Sequence, residues 1–358
     1  MSWLGRREFL GVSAVALVEA CGPIPSGEGP RKVALRETTS LVVLPALAEH
    51  ARATNQLQQG LVALEPTGES DELAAAQSLY RAARAAWKRS SVFHMGPAEE
   101  LRLTARIDQS PVDARRIEAH LASPAAVDVG KLSTLGADML GYHGLEYLLF
   151  ADAGALASDA RRRAYLAAAG TLLNRDAERL SSAWSDDYAL RFQDPTQPEA
   201  VHASVREAVD ALVNACVFTA ESLADLRLGK PMGLATGGDP RPELEESPYA
   251  DGSVDDLLQG LQGLADAYLG SRTGQPGLGL TELVSRESAG TDARLLRALS
   301  LAQRRVAAIP RPFRQALLQR APELAPAHAA LKDVVRLFAA DVVAVLGATL
   351  SFNANDGD

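Results

Sequence analysis

The chain has 358 residues, of which 47% are hydrophobic and 5% aromatic, and it carries a formal net charge of −9 at pH 7. Its length exceeds the roughly 100 to 200 residues of one typical domain, and its richness in Ala and Leu predicts an all-α fold with two domains. The acidic balance, without Lys/Arg stripes interleaved with aromatic residues, argues against nucleic acid as a partner.

The N-terminus predicts export. Arg6 and Arg7 belong to a twin-arginine signature that precedes a short apolar stretch, so residues 1–20 are interpreted as a signal peptide. That stretch falls well short of the roughly 20 apolar residues that a membrane-spanning helix needs. Cys21 follows in a sequence that resembles a lipobox, although Glu19 departs from the pattern and ordinary cleavage nearby is the alternative. The expected location is the periplasm or cell envelope, with a lipid on Cys21 anchoring the protein to a membrane.

The rest of the chain alternates between helical spacing of apolar residues and breaks rich in Gly, Pro, Asp and Ser. A tether over residues 21–34 leads into two predicted helical bundles, residues 35–190 and 191–358. The predicted helices cover 36–64, 70–92, 112–122, 131–150, 156–186, 197–228, 253–269, 287–308 and 324–350. The irregular segment from 229 to 252 is unusually long, which indicates that it contributes to a site.

The predicted helix 131–150 carries the strongest candidate site. It is apolar almost all round, which predicts burial, and it places His143 and Glu146 on one side at i, i+3. Buried polar groups need partners, and the spacing alone favours a His–Glu hydrogen bond that fixes helix packing. The alternative is a metal site, since imidazole and carboxylate suit zinc or iron and helical bundles build such sites at this spacing. Gly141 and Gly144 indicate that a backbone or a ligand comes close.

The same segment carries a family motif. Gly141-Tyr142-His143-Gly144-Leu145-Glu146 resembles the G-x-H-x-x-E motif of the imelysin family, also called the insulin-cleaving metalloproteinase or iron-regulated protein A family. Further segments are similar to that family and occur in its order along the chain: 85–97, 107–113, 246–251, 263–270 and 352–358. The resemblance therefore covers nearly all of the chain after the tether.

The resemblance implies an exported protein of two helical bundles that is associated with iron acquisition. It assigns His143, Glu146 and Asp108 as metal ligands, with iron as the expected metal and zinc as the alternative. Relatives use a further acidic ligand near the end of the helix that contains Trp87. This chain has three other residues there, Ser90, Ser91 and His94. The substitution leaves the implied ligand set incomplete.

Other residues are expected to line this site. They are Gly141, Tyr142, Trp87, Glu246 and Ser247. Trp87 has an alternative as an ordinary core residue, and Glu246 with Ser247 has an alternative as a cap for the helix that starts near Ser253. The second cysteine, Cys216, has no intramolecular partner if Cys21 carries lipid, and we expect it to be a buried core residue.

The predicted function is the binding of iron, or of an iron-bearing ligand, for uptake together with membrane components of an iron-uptake system. A metallopeptidase of the imelysin type is the alternative, but a zincin needs H-E-x-x-H and its inverted form needs H-x-x-E-H. Gly144 stands at the zincin's base position and Tyr147 at the inverted motif's second histidine, so no catalytic residue is assigned. A metal-free periplasmic interaction scaffold is the second alternative, because the expected acidic ligand is replaced.

Overall fold

The computed structural model describes residues 28–351, and every regular element within that range is helical. This confirms the predicted all-α class. The α-helices of the first half are α1 (Glu28–Thr38), α2 (Leu44–Thr67), α3 (Ser70–Arg89), α4 (Pro97–Glu100), α5 (Leu103–Asp108), α6 (Ala114–Ala122), α7 (Val129–Leu132), α8 (Gly141–Glu146), α9 (Ala153–Ser158), α10 (Ala160–Ala183) and α11 (Ala189–Gln193). Those of the second half are α12 (Val205–Glu221), α13 (Ser253–Leu269), α14 (Leu280–Ala307), α15 (Phe313–Leu318), α16 (Leu324–Arg336) and α17 (Val343–Leu346).

Short π-helical and 3-10 segments extend or link these helices. The π-helical segments are Thr39–Val43, Tyr147–Ala151, Trp184–Tyr188, Ser222–Gly229 and Leu337–Val342. The 3-10 segments are Ser91–Phe93, Ala137–Met139 and Pro242–Leu244. Several long predicted helices are therefore composite. The predicted range 197–228, for example, corresponds to α12 followed by a π-helical segment, and 287–308 covers only the part of α14 beyond a kink at Ser288.

The predicted tether over residues 21–34 is wrong at its C-terminal end, because α1 begins at Glu28. This stretch packs against the rest of the fold. Ala34 and Leu35 are buried in the apolar core, and Arg31 donates a hydrogen bond to the carbonyl oxygen of Leu346 at 2.8 Å. The predicted signal peptide (1–20) and Cys21 lie outside the described residues.

The prediction of one continuous helix over residues 131–150 is also wrong. The structure divides this stretch into α7, a 3-10 turn, α8 and a π-helical segment. The break precedes Gly141, which starts α8 with φ +61°, and a Cβ there would lie only 2.4 Å from the carbonyl oxygen of Ile107. Only glycine adopts this conformation readily and admits a backbone so close. Gly141 is thus the turn that starts α8 and sets its direction, not a residue in mid-helix.

The helices enclose an extensive apolar core. α2 packs against both α3 and α10, and α3 also packs against α13, so α3 contacts elements from both halves of the chain. Cys216 is buried in this core, as predicted. The division into bundles 35–190 and 191–358 stays a prediction. Within residues 28–351, none of the helices combines the length and the apolar character that crossing a membrane would require.

The contact between α3 and α13 depends on Gly263. A Cβ at this position would lie 2.0 Å from the carbonyl oxygen of Arg89, the last residue of α3. We expect Gly263→Ala to lower the free energy of unfolding by about 1 to 3 kcal/mol, because backbone must move to admit the methyl group. Urea denaturation followed by circular dichroism measures this loss.

Gly290→Ala is the matched control for this prediction. A Cβ at Gly290 would meet only the Arg294 guanidinium, at 3.7 Å. We expect the free energy of unfolding to stay the same or rise by up to about 1 kcal/mol, as helix propensity dictates. Equal effects of the two substitutions would contradict the proposed role of close backbone packing.

Candidate functional site

The candidate site is assembled from elements that are far apart in sequence. α3 contributes Arg84, Trp87 and Lys88, α5 ends with Asp108, and α8 carries His143 and Glu146. The long irregular segment before α13 reaches the same place and brings Glu246 and Ser247, while α13 itself adds Asp256. Residues of α3 contact each of these elements through hydrogen bonds, including one from Tyr142 of α8 to the carbonyl of Ala83.

His143 is buried and lies between two carboxylates. Its Nε2 is 3.1 Å from Asp108 Oδ1, and its Nδ1 is 3.5 Å from Glu146 Oε2. Burial opposes protonation of the imidazole, but the Asp108 and Glu146 carboxylates outweigh it and raise the pKa of His143. Despite the short distance to Asp108, His143 Nε2 has no hydrogen bond of good geometry among the described residues.

Glu146 connects the motif helix to the irregular segment. Its Oε1 accepts hydrogen bonds from the backbone N–H groups of Tyr249 and Ala250, both at 2.9 Å. The other oxygen, Oε2, faces His143 Nδ1. Oε2 has no hydrogen bond of good geometry among the described residues, so its interaction with the imidazole is electrostatic. The role of Glu146 as a direct metal ligand stays a prediction, and what the geometry favours is that Glu146 orients His143.

A different glutamate joins the predicted ligands Asp108 and His143. One oxygen of Asp108, one nitrogen of His143 and one oxygen of Glu246 all lie within 4.8 Å of one another. Nitrogen and oxygen donors of this kind suit zinc or iron, so this group could hold a metal ion. Glu246, predicted only to line the site, therefore lies where a third ligand would be needed.

Two cations of α3 occupy the same cluster. Lys88 Nζ donates a hydrogen bond to Asp108 Oδ2 at 2.6 Å and another to Glu246 Oε1. Arg84 donates to Asp256 Oδ2 through Nε at 3.1 Å and through Nη2 at 3.0 Å, and it also donates to Asp108. Sequence motifs did not identify these two residues. Their spacing of four within a helix, on the same side as Trp87, was the only available signal.

These cations keep the carboxylates ionised. Burial raises the pKa of Asp108, but Arg84 and Lys88 outweigh it and hold that pKa well below its ordinary value. Burial likewise raises the pKa of Glu246, but Arg227, Lys88 and Arg84 together lower it to about 2. Both carboxylates are therefore charged at neutral pH, which is the form that binds metals.

The structure also places the remaining predicted residues. Ser247 Oγ donates to Asp256 Oδ2 at 2.6 Å, whereas α13 has Gly252 as its N-cap and no side-chain capping bond, so the capping alternative is not observed. Trp87 is buried as a core residue would be, and its Nε1 also donates to Asp108 Oδ2 at 2.8 Å. Tyr142 is buried, and its hydroxyl donates to the carbonyl of Ala83.

His50, which lies next to Tyr142 and Trp87, is fully buried. Its Nε2 lies 2.9 Å from the Tyr142 hydroxyl, and its ring contacts Trp87 with 4.9 Å between the ring centroids. Since the Tyr142 hydrogen goes to Ala83, Nε2 of His50 must carry the proton of their hydrogen bond. Burial outweighs the attraction of Asp108 and lowers the pKa of His50 to about 3, so the ring is neutral.

A cavity of about 330 Å³ adjoins the charged cluster. The residues that line it include Arg81, Arg84, Ser247, Asp256 and Gln259. The volume lies at the lower end of the range typical of small-molecule sites. A small ligand in this cavity would contact residues that also bind the carboxylates of the cluster.

Comparison with known sequences places the chain among named relatives. The sequence profile of the family described as Imelysin matches residues 43–340. A protein described as iron-regulated protein A, from Synechococcus elongatus, is 25% identical over 237 residues, which are 65% of this chain and 62% of that relative. The chain thus spans less than two thirds of that curated relative's length.

Two crystal structures share the fold. One, described as an iron-regulated protein A precursor from Parabacteroides distasonis, has a TM-score of 0.78 at 20% identity and covers 91% of this chain and 97% of its own. The other, described as an imelysin-like protein from Psychrobacter arcticum 273-4, has a TM-score of 0.73 at 19% identity and covers 92% of this chain and 99% of its own. At these identities the likeness establishes the fold alone.

The Arg84 charge network should be costly to break. Arg84→Met would leave Asp108 and Asp256 buried with one cation fewer, and we expect the free energy of unfolding to fall by about 3 to 5 kcal/mol. Arg311→Met, which breaks an exposed pair with Asp255, should cost less than about 1 kcal/mol. Urea denaturation at pH 7 compares the two. A loss in Arg84→Met no larger than in Arg311→Met would contradict this account.

The neutral state of His50 should make stability depend on pH. Its pKa in the folded protein, about 3, is below the ordinary value of 6.5, so the unfolded chain binds a proton between these values that the folded chain does not. Folding stability therefore falls as pH drops below 6.5. We expect the wild type to lose about 2 kcal/mol more than His50→Gln between pH 7 and pH 5. Parallel pH profiles of unfolding free energy for the two proteins would refute the assignment.

Proposed function

The chain belongs to the imelysin family, and on that basis we propose that it is an exported protein that binds iron, or an iron-bearing ligand, for uptake. Asp108, His143 and Glu246 would hold the metal. The observation that carries the proposal is the meeting of their three ligand atoms within 4.8 Å, with His143 and Glu246 buried. His143 Nε2 supports it further, since a buried nitrogen without a hydrogen bond is costly unless a ligand completes it.

The surrounding residues suit a metal site. Glu146 faces the nitrogen of His143 that is turned away from Asp108, and an outer carboxylate of this kind raises the basicity of a metal-binding imidazole. Trp87 donates to the second oxygen of Asp108 and so fixes that carboxylate's orientation. The donor set favours iron or zinc over calcium or magnesium, which prefer oxygen ligands alone. The name of the Synechococcus relative points to iron.

In a second form of this proposal, the protein binds an iron chelate instead of a free iron ion. The cavity beside Arg84 and Asp256 could take the organic part of a chelate while its metal reaches the carboxylates. A free ion needs no such volume, so tighter binding of a chelate than of the free ion would favour this form.

Export completes the proposed function. The twin-arginine signature and the lipobox-like sequence at Cys21 support a lipoprotein in the periplasm or cell envelope, with membrane components of an iron-uptake system as partners. The Parabacteroides relative is described as a precursor, which agrees with export.

Metal binding tests the proposal directly. Calorimetry with Fe²⁺, Zn²⁺ and Cu²⁺ should detect binding by the mature wild-type chain at micromolar concentration or below. We expect His143→Ala to weaken binding by a factor of about 10 to 100 or more, because it removes a ligand. His120→Ala should bind like the wild type, since His120 hydrogen-bonds to Ala126 away from the site.

Two results would redirect the assignment. A wild type that binds no metal or iron chelate would favour the interaction scaffold. Degradation of an unstructured protein, abolished both by a chelator and by Glu146→Ala, would instead favour the metallopeptidase.

A further inference from the structure

We infer that the ammonium group of Lys88 occupies the position of a metal ion, and that Lys88 must leave the cluster before a metal can bind. This inference rests on the proposed function, because it concerns the same three ligands. It adds that the chain carries its own competitor for the metal.

Lys88 binds two of the three candidate metal ligands. Its Nζ donates to Asp108 Oδ2 at 2.6 Å and to Glu246 Oε1, and the residue is only 8% exposed. Asp108 and Glu246 are two members of the three-residue ligand group. Lys88 therefore already bridges the pair of carboxylates that a metal would bridge, and the Arg84 guanidinium pairs with the same two carboxylates.

The space between the ligand atoms has room for only one cation. Two oxygen ligands of one metal, each at about 2.0 to 2.2 Å from it, lie no more than about 4.4 Å apart. The ligand atoms of this group lie within 4.8 Å of one another, so the gap accommodates one small cation. An ammonium group and a metal ion cannot share it, both for lack of room and because like charges repel.

The Lys88 ammonium group binds only two of the three candidate ligands. It pairs with Asp108 and Glu246, but it leaves His143 Nε2 without a well-formed hydrogen bond. A metal ion accepts electron pairs from all three residues at once. The lysine is thus the poorer partner for the site, and this makes exchange for a metal feasible.

Other cations remain in the cluster when Lys88 is removed. Arg84 is anchored by two hydrogen bonds to Asp256, and Glu246 retains an ion pair with Arg227 at 3.1 Å. A lysine side chain has a flexible four-carbon stem that can swing away from its partners. Removal of Lys88 alone would therefore leave the ligands in place with one positive charge fewer.

The experiment measures Zn²⁺ affinity, because this ion has no redox chemistry of its own. Calorimetry compares the mature wild type with Lys88→Met, Lys88→Arg and Arg89→Met. We expect Lys88→Met to bind Zn²⁺ at least tenfold more tightly than the wild type, and Lys88→Arg to bind no more tightly. Arg89→Met is the matched control and should equal the wild type, since Arg89 pairs with Asp266 outside the ligand group.

Thermal melts in EDTA and in Zn²⁺ supply an independent readout. A tighter site raises the melting temperature more on metal addition, so the rise should be larger for Lys88→Met than for the wild type. If Lys88→Met does not fold in EDTA, Lys88→Gln takes its place under the same criteria.

The outcomes separate this inference from the proposed function. Wild-type binding with no gain in Lys88→Met supports the proposed function and overturns the role of Lys88. Binding by Lys88→Met alone supports the role of Lys88 and overturns metal binding as the wild-type function. Binding by neither protein overturns both.

Discussion

The buried charge cluster around Arg84 is the interaction on which the arrangement of the site depends. Isolated charges in a protein interior cost several kcal/mol each, so each must find partners of opposite sign. Arg84 and Lys88 find theirs on three other parts of the chain: the end of α5, the irregular segment before α13, and α13 itself. The pairing is complete only when these parts adopt their observed positions around α3.

A buried ion network is weak evidence for stability, because well-packed apolar residues of similar volume serve as well or better. Folding free energy therefore does not explain why the protein contains this network. Here the network holds Asp108 and Glu246 ionised and close to His143, which an apolar core would not do. Glu146 adds a second constraint, since its two backbone hydrogen bonds keep the irregular segment against α8. The cluster is better understood as a means of positioning ligand atoms than as a source of folding free energy.

Structural elements that depend on local sequence patterns could be predicted from the sequence. The range 253–269 was predicted correctly because its apolar spacing is regular and Gly270 ends the helix with a left-handed conformation. The break before Gly141 was not predicted, since it depends on the carbonyl of Ile107, thirty-odd residues earlier in the chain. The meeting of Glu246 with Lys88 was missed for the same reason. Family motifs supplied His143 and Asp108, but neither motif nor periodicity marks a lysine as part of a buried site.

The departure from the family pattern at the end of α3 agrees with this electrostatic account. Relatives are expected to have an acidic ligand there, whereas this chain has Ser90, which lies 3.0 Å from His94 Nε2, and His94 stacks on Trp87 with 3.5 Å between ring centroids. Burial, together with the Lys88 cation, holds the pKa of His94 well below its ordinary value, so this residue adds no charge of its own. The end of α3 thus adds no negative charge to the cluster, while Lys88 contributes a positive one. Both features lower the attraction of the site for a cation, which favours a weakly held, exchangeable ion over a permanent structural one.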